Sequence, residues 1–347
     1  MKDERGFTLI ELLLSTTITL IVLAGAMSAF KDALDVNQTG SLVADSTQNL
    51  RAATNLIVRD LMQAGRGIPT GGLPIPSGAG SGPINRPGPI GSAFTFDNVN
   101  YTTLPAVVPG ASLGPAINGQ VTDIVTVLMT DPTLAALTLN STPAVAGQAT
   151  LAADGSSLNA GAANLVWFAG IRVGDLIMFT NALGTAVQMV TATDGVSVAS
   201  FAPNDALRMN QPAAAQGSIT RILAAPIPQT SAQRVLMVTY YVDNVTTPGV
   251  PRLARRINAS PGQALAGVVE DLDLTYDLVD GVNNPVGQNS VPVTLGGILY
   301  TPNQIRKINL HVGVRSEEQS IRQHDFIRNH LNTVISVRSL AYVDRYQ

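Results

Sequence analysis

From Leu12 to Phe30 the chain runs for 19 residues without a charged side chain, bounded by Glu11 and Lys31. At about 1.5 Å per residue such a helix is about 28 Å long, close to the roughly 30 Å hydrocarbon core of a bilayer. The segment is therefore read as one membrane span. The overall composition, 45% apolar and 13% charged with a mean hydropathy of +0.22, would by itself allow several spans. Later apolar runs, residues 123–129 and 235–242, are strand-length and rich in β-branched or aromatic side chains, so the lipid-grade sequence is confined to the N-terminal region. With 21 basic and 24 acidic residues there is no global charge that would draw nucleic acid or an anionic membrane surface. The lack of cysteine excludes a disulfide framework, a thiolate zinc site and a thiol nucleophile.

A plain membrane anchor does not account for Glu11, because a carboxylate inside an apolar run costs roughly 2.5–3.5 kcal/mol unless it is paired. A secretory signal peptide is the other general reading, with Ala24-Gly25-Ala26 as a small-x-small site, but Lys2, Asp3, Glu4 and Arg5 give a charge-balanced rather than basic start. The pattern of a short polar leader ending in Gly6, followed by FTLIELLL with Glu11 at the fifth position from Phe7, resembles the class III signal of type IV pilins and type II secretion pseudopilins. That resemblance implies cleavage by prepilin peptidase between Gly6 and Phe7, N-methylation of Phe7, and pairing of Glu11 with the N-terminal amine of a neighbouring subunit during assembly. A buried carboxylate met by a cation is physically tolerable, which agrees with the implied role.

Proline is absent from Lys31 to Gly65, and apolar residues recur at Val43, Leu50, Ala53, Ile57, Leu61 and Ala64 along one helical face. Asp45, Gln48, Asn49, Arg51, Asn55, Arg59 and Gln63 lie opposite. Gly65 and Pro69 supply a stop, so one helix is expected from about Thr8 to Ala64, apolar in its first half and amphipathic in its second. Gly25 and Gly40 are its weak points: each could soften the helix, and Gly25 could equally serve close helix packing. Residues 67–91 hold eight glycines and six prolines in 25 positions, which argues for a long irregular loop, either mobile or laid as extended chain over the head; with no aromatics and one charge, Arg86, a spacer is favoured over a ligand-binding loop. Strand-like runs follow at residues 122–129, 172–180, 185–191, 235–242, 304–314 and 333–337. The alternation of Ile308, Leu310, Val312 and Val314 with polar neighbours marks a half-buried strand. The expected fold class is α+β: a leader at 1–6, a spine helix at 7–65 with its transmembrane segment at 12–30, a Gly/Pro-rich irregular segment at 66–120, and a β-rich head at 121–347.

Reactive constellations are sparse. His311, His324 and His330 lack the spacing of a helical zinc site. Glu270, Asp271, Asp273, Asp277 and Asp280 lack a calcium-loop pattern, and a solvated strand face fits their alternation with Leu272 and Leu274. Neither a P-loop nor a nucleophile elbow is found. Arg252, Arg255, Arg256, Arg306, Lys307, Arg315, Arg322 and Arg328 could form a basic patch, with subunit contacts favoured over nucleic acid because acids are interleaved.

Residues 59–65, VGDLIMF at 173–179, VLMVTYYVD at 235–243, GVVEDLDLTYD at 267–277 and residues 305–315 resemble PilW-type minor pilins. The resemblance implies a non-enzymatic minor pilin that acts in pilus assembly and priming, at the tip or base, without a cofactor. Its partners would be prepilin peptidase, other minor and major pilins and the inner-membrane assembly platform. It would be a single-pass inner-membrane protein with a periplasmic head before incorporation. A type II secretion pseudopilin, a tip adhesin and an anchored periplasmic enzyme are the competing readings. Many pilins staple the C-terminal part of the head with a disulfide, which this sequence cannot form.

Overall fold

A helix of 54 residues, Leu9–Met62, leads the chain, and it is unbroken at Gly25 and Gly40. The computed structural model describes residues 8–89, 94–96, 101–134, 136–139, 149–152, 155–160, 170–223, 228–321 and 324–337. At about 1.5 Å per residue the helix spans about 80 Å. Its apolar residues from Leu9 to Val36 are exposed, whereas head contacts begin near Gln38, whose Oε1 accepts from Ile321 N at 3.4 Å. Thr39 and Ser320 hydroxyls meet at 3.3 Å, and Asn329 Nδ2 donates to Thr47 Oγ1 at 3.2 Å. Of the expected apolar stripe, Leu50, Ala53, Ile57, Leu61 and Ala64 are buried, while Val43 remains exposed. The helix ends at Gln63, whose N–H returns to Asp60 O and Leu61 O.

The head is organised about the Thr230–Asp243 strand. One half of it, residues 230–235, pairs antiparallel with Leu176–Asn181 and with Leu137–Leu139; the other half pairs with Ile124–Thr130 and Arg252–Ile257. From Arg252–Ile257 the sheet continues through Gln263–Leu278 and Ile305–Gln319 to Phe326–Ser336, each strand antiparallel to the last. The expected runs are thus strands, several of them longer than the sequence pattern indicates, because their ends carry polar residues that pair across the ladder without entering the core. Within Ile305–Gln319 the side chains of Ile308, Leu310, Val312 and Val314 are buried.

Because successive strand residues face opposite sides of a sheet, one strand serves two cores. Val238, Tyr240 and Val242 join Val125, Val127 and the helix residues Leu50, Ala53, Ile57 and Leu61. Val235 and Met237 point the other way, onto Leu128, Val108, Leu73, Ile75 and Ile84. A third cluster, including Leu158, Ile177, Phe179 and Phe201, fills the far lobe.

The second face is covered by the glycine- and proline-rich segment, which is laid over the head as the second of its two expected forms and is not a mobile spacer. Leu73–Pro74 pairs with Thr103–Leu104, and Ile84–Arg86 pairs with Phe94–Phe96. Within the span expected to be irregular, Val107–Gly110 adds a strand beside Ile124–Thr130. Leu73, Ile75 and Ile84 are fully enclosed. Glycine and proline density here reflects close backbone packing rather than freedom. Ser77 N donates to Gln216 O at 3.1 Å, Ala215 N donates to Ala79 O at 2.9 Å, and a Cβ at Gly217 would lie 2.0 Å from Ile75 O.

The helix is tied to the sheet by one polar group inside the apolar interface. Asp60, 3% exposed, accepts at Oδ2 from the Tyr240 hydroxyl at 2.6 Å and from Arg255 Nε at 2.9 Å, and the Tyr240 hydroxyl also lies 3.2 Å from Leu56 O. Burial, with the Asp60 carboxylate next to it, pushes the Tyr240 phenol upward, so it remains a neutral donor.

Two consequences can be measured by denaturation of the full-length protein in detergent. Asp60→Ala leaves the half-buried Arg255 without its carboxylate and the buried Tyr240 hydroxyl with Leu56 O alone, and is expected to cost about 3 kcal/mol, whereas Arg59→Ala, which removes only a 3.4 Å contact to Asp60 from an exposed guanidinium, should change stability by less than about 0.5 kcal/mol; equal effects would show that the tie is dispensable. Gly217→Ala should destabilise well beyond Gly249→Ala: both have positive φ, but an added Cβ at Gly249 meets nothing within 4 Å.

Candidate functional site

The described chain starts at Thr8, immediately after the two residues of the expected processing site; Gly6 and Phe7 lie outside the described residues. Thr8 is the N-cap of the long helix, with extended backbone angles, and Glu11 is its third helical residue. Glu11 N donates to Thr8 Oγ1 at 3.3 Å, while Glu11 Oε2 accepts from Thr8 N at 3.0 Å and from Thr8 Oγ1 at 2.9 Å. This reciprocal capping box satisfies two of the helix's orphan donors, and the carboxylate sits at the positive end of the helix dipole. Glu11 is thus held at the helix start with its polar partners local and its flank exposed. Leu9, Ile10, Leu12, Leu13 and Leu14 around it are exposed as well, so the N-terminal end is an apolar rod carrying one carboxylate. Its span from Leu9 onward has the length and hydropathy to cross a membrane.

In the head the sequence-level candidates are distributed differently from their order along the chain. Pairing of Ile305–Gln319 with Phe326–Ser336 sets His311 and His330 rings 5.8 Å apart, while His324 stands in the connecting turn. His311 Nε2 lies 3.2 Å from Asp271 Oδ2, and its Nδ1 meets Asn332 Oδ1. Among the described residues no group of three His, Asp or Glu side chains is arranged to hold a metal ion.

The acidic run is only partly a solvated face. Glu270 is engaged by Arg315 at 2.8 Å and Arg328 at 3.0 Å. Asp123, whose carboxylate accepts from Ser112 N and Leu274 N, ties a loop to the sheet. Asp273 is pushed up to about 6, first by burial of its carboxyl and then by the neighbouring charges of Asp271 and Asp123. Asp280 instead closes a turn, accepting from Val282 N, Asn283 N and Asn284 N.

The arginines do not assemble into a basic patch. Arg255 is committed to Asp60; Arg315 pairs with Glu270, donates to Gly249 O and lies 3.8 Å over the Phe326 ring. Arg256 donates to Ser260 O and Gly88 O, and Arg252 pairs with Glu317. Arg306 and Lys307 are exposed, and Arg322 lies outside the described residues. Antiparallel pairing places acids and carbonyls beside cations that are far apart in sequence, and spacing along the chain carries no trace of that. Asp60 was equally hidden, although one signal was present: it lies three residues after Ile57 and four before Ala64, on the apolar face of the helix.

Residues 1–27 match the family model described as the prokaryotic N-terminal methylation motif. No curated protein and no solved structure matches the chain. The motif, joined to a membrane-competent helix and a mainly β head, supports a type IV pilin-like or pseudopilin-like protein anchored through its N-terminal helix.

Proposed function

We propose that this chain is a minor pilin of the PilW type, a structural subunit that enters a type IV pilus and helps prime its assembly. The observation that carries the reading is the methylation motif over residues 1–27, continuous with an exposed apolar helix half that finds no packing partner among the described residues. In this reading prepilin peptidase cuts between Gly6 and Phe7, and Phe7 becomes the methylated N-terminus. Before assembly the helix holds the protein in the inner membrane with the head in the periplasm. In the filament the rod from Leu9 to Val36 exchanges lipid for the helices of other minor and major pilins, supplied through the assembly platform.

Glu11 then receives the N-terminal amine of a neighbouring subunit. The capping box suits this role, because it orients one carboxylate at the rod's end while leaving it open to a second donor. A carboxylate entering an apolar helix bundle needs such a cation, and the pairing selects the axial stagger at which it is available. The size of the head, most of a 347-residue chain, favours a minor subunit over a repeating shaft subunit. The same motif serves type II secretion pseudopilins, which remain the alternative machine.

Mass spectrometry of the protein from cells containing prepilin peptidase should find the mature N-terminus at methylated Phe7; an N-terminus at Met1 or near Ala26 rejects the reading. Glu11→Ala should leave processing intact and abolish incorporation into sheared filaments, and normal incorporation would remove the pairing role.

A further inference from the structure

A cavity of about 500 Å³ lies where the glycine- and proline-rich cover meets the Val107–Gly110 strand and residues 291–303. That volume falls in the roughly 300–1,000 Å³ range of small-molecule sites. Its wall includes Arg86, Phe96, Tyr101, Pro292, Thr301 and Asn303. Phe96 and Tyr101 are neighbouring rings with centroids 5.8 Å apart.

Arg86 is the unusual member. It is 7% exposed, and among the described residues no carboxylate pairs with it. Its Nη1 donates to Pro109 O at 2.8 Å and Val108 O at 3.3 Å, while its enclosed Nε has no acceptor. Burial pushes the guanidinium down to about 10, which leaves it a cation at neutral pH. The other buried arginine among the described residues, Arg315, and the half-buried Arg255 each have an acid. Buried charge without a counter-charge is costly. On the same wall Asn303 donates to Gly71 O, and its enclosed Oδ1 lacks a donor.

We propose that this cavity binds an organic monocarboxylate on an aromatic or similarly apolar body, the acid answering Arg86 and the ring lying against Phe96 and Tyr101. One cation calls for one negative charge, so a phosphate dianion would leave net charge in a largely apolar site. Two sources share that chemistry, a free small acid and the C-terminal residue of a polypeptide. The assignment concerns the head alone and is independent of the filament reading; it would survive an unprocessed N-terminus.

The test uses the full-length protein in detergent micelles and calorimetric titration with N-acetylphenylalanine, its primary amide, and a hexapeptide ending in a free phenylalanine carboxylate. The acid should bind at least about tenfold more tightly than the amide, and Arg86→Met should erase that preference. Equal binding of acid and amide, no binding of any probe at millimolar concentration, or retention of the preference in Arg86→Met overturns the assignment. The acid and amide comparison on the wild-type protein decides the matter even where Arg86→Met does not fold, and Phe96→Ala should weaken the acid and the amide alike. A hexapeptide that binds more tightly than the small acid identifies a polypeptide end as the occupant; equal affinity identifies the small acid as sufficient.

Discussion

The Asp60 carboxylate is the constraint on which the relation between rod and head depends. Apolar contacts between a helix and a sheet are non-directional, and Leu50, Ala53, Ile57 and Leu61 would pack almost as well after a slide of one turn, about 5.4 Å. Such a slide would strip Asp60 of Tyr240 and Arg255 and leave three polar groups buried without partners. A buried ion pair adds little stability relative to well-packed hydrocarbon, but it penalises wrong alignments heavily. Here it specifies where along the helix the head sits. The length of rod that emerges, from Leu9 to about Val36, is therefore fixed by a residue far from the rod's tip.

The sheet that accepts the helix is finished on its other face by a largely irregular layer with two short strand pairs rather than by an extended second sheet or a helix. That layer has few hydrogen bonds of its own and borrows the carbonyls of residues 207–216, reached through glycines that allow close approach. It brings Leu73, Ile75 and Ile84 over Met237 and Val235, where a disulfide-stapled head would have covalent reinforcement available. The absence of cysteine is thus matched by two-sided coverage of the Thr230–Asp243 strand. The same layer encloses Arg86, so the irregular cover is also the site of the least compensated charge in the head.

Much of this was legible in sequence wherever a period was present. The uncharged run from Leu12 to Phe30, the helix ends near Thr8 and Ala64, and the alternation from Ile308 to Val314 follow from local rules and agree with the structure. For the Gly/Pro segment the sequence left mobile chain and extended chain over the head both open, because composition records flexibility even where packing, here of Leu73, Ile75 and Ile84, has removed it. The charged groups were misread for a related reason. Arg255, Arg315 and Arg86 look alike in a string, but helix docking gives the first an acid, strand register gives one to the second, and among the described residues the third has none. At the N-terminus the motif signalled Glu11, while the reciprocal bonds with Thr8 became visible only with coordinates, though the spacing of three is a capping-box signature.

The order of the layers along the chain bears on how the head forms. The cover, residues 67–91, emerges before the strands it covers, which begin at Ile124 and extend past Leu278. Loop closure over such separations is slow, and contacts of this kind dominate the head. The cover therefore cannot dock on the sheet face bearing Val235 and Met237 until strands far along the chain have formed. Proline and glycine, which cannot nucleate rival helices or ladders, make that wait safe: the segment that arrives first is the one least able to commit to a wrong partner.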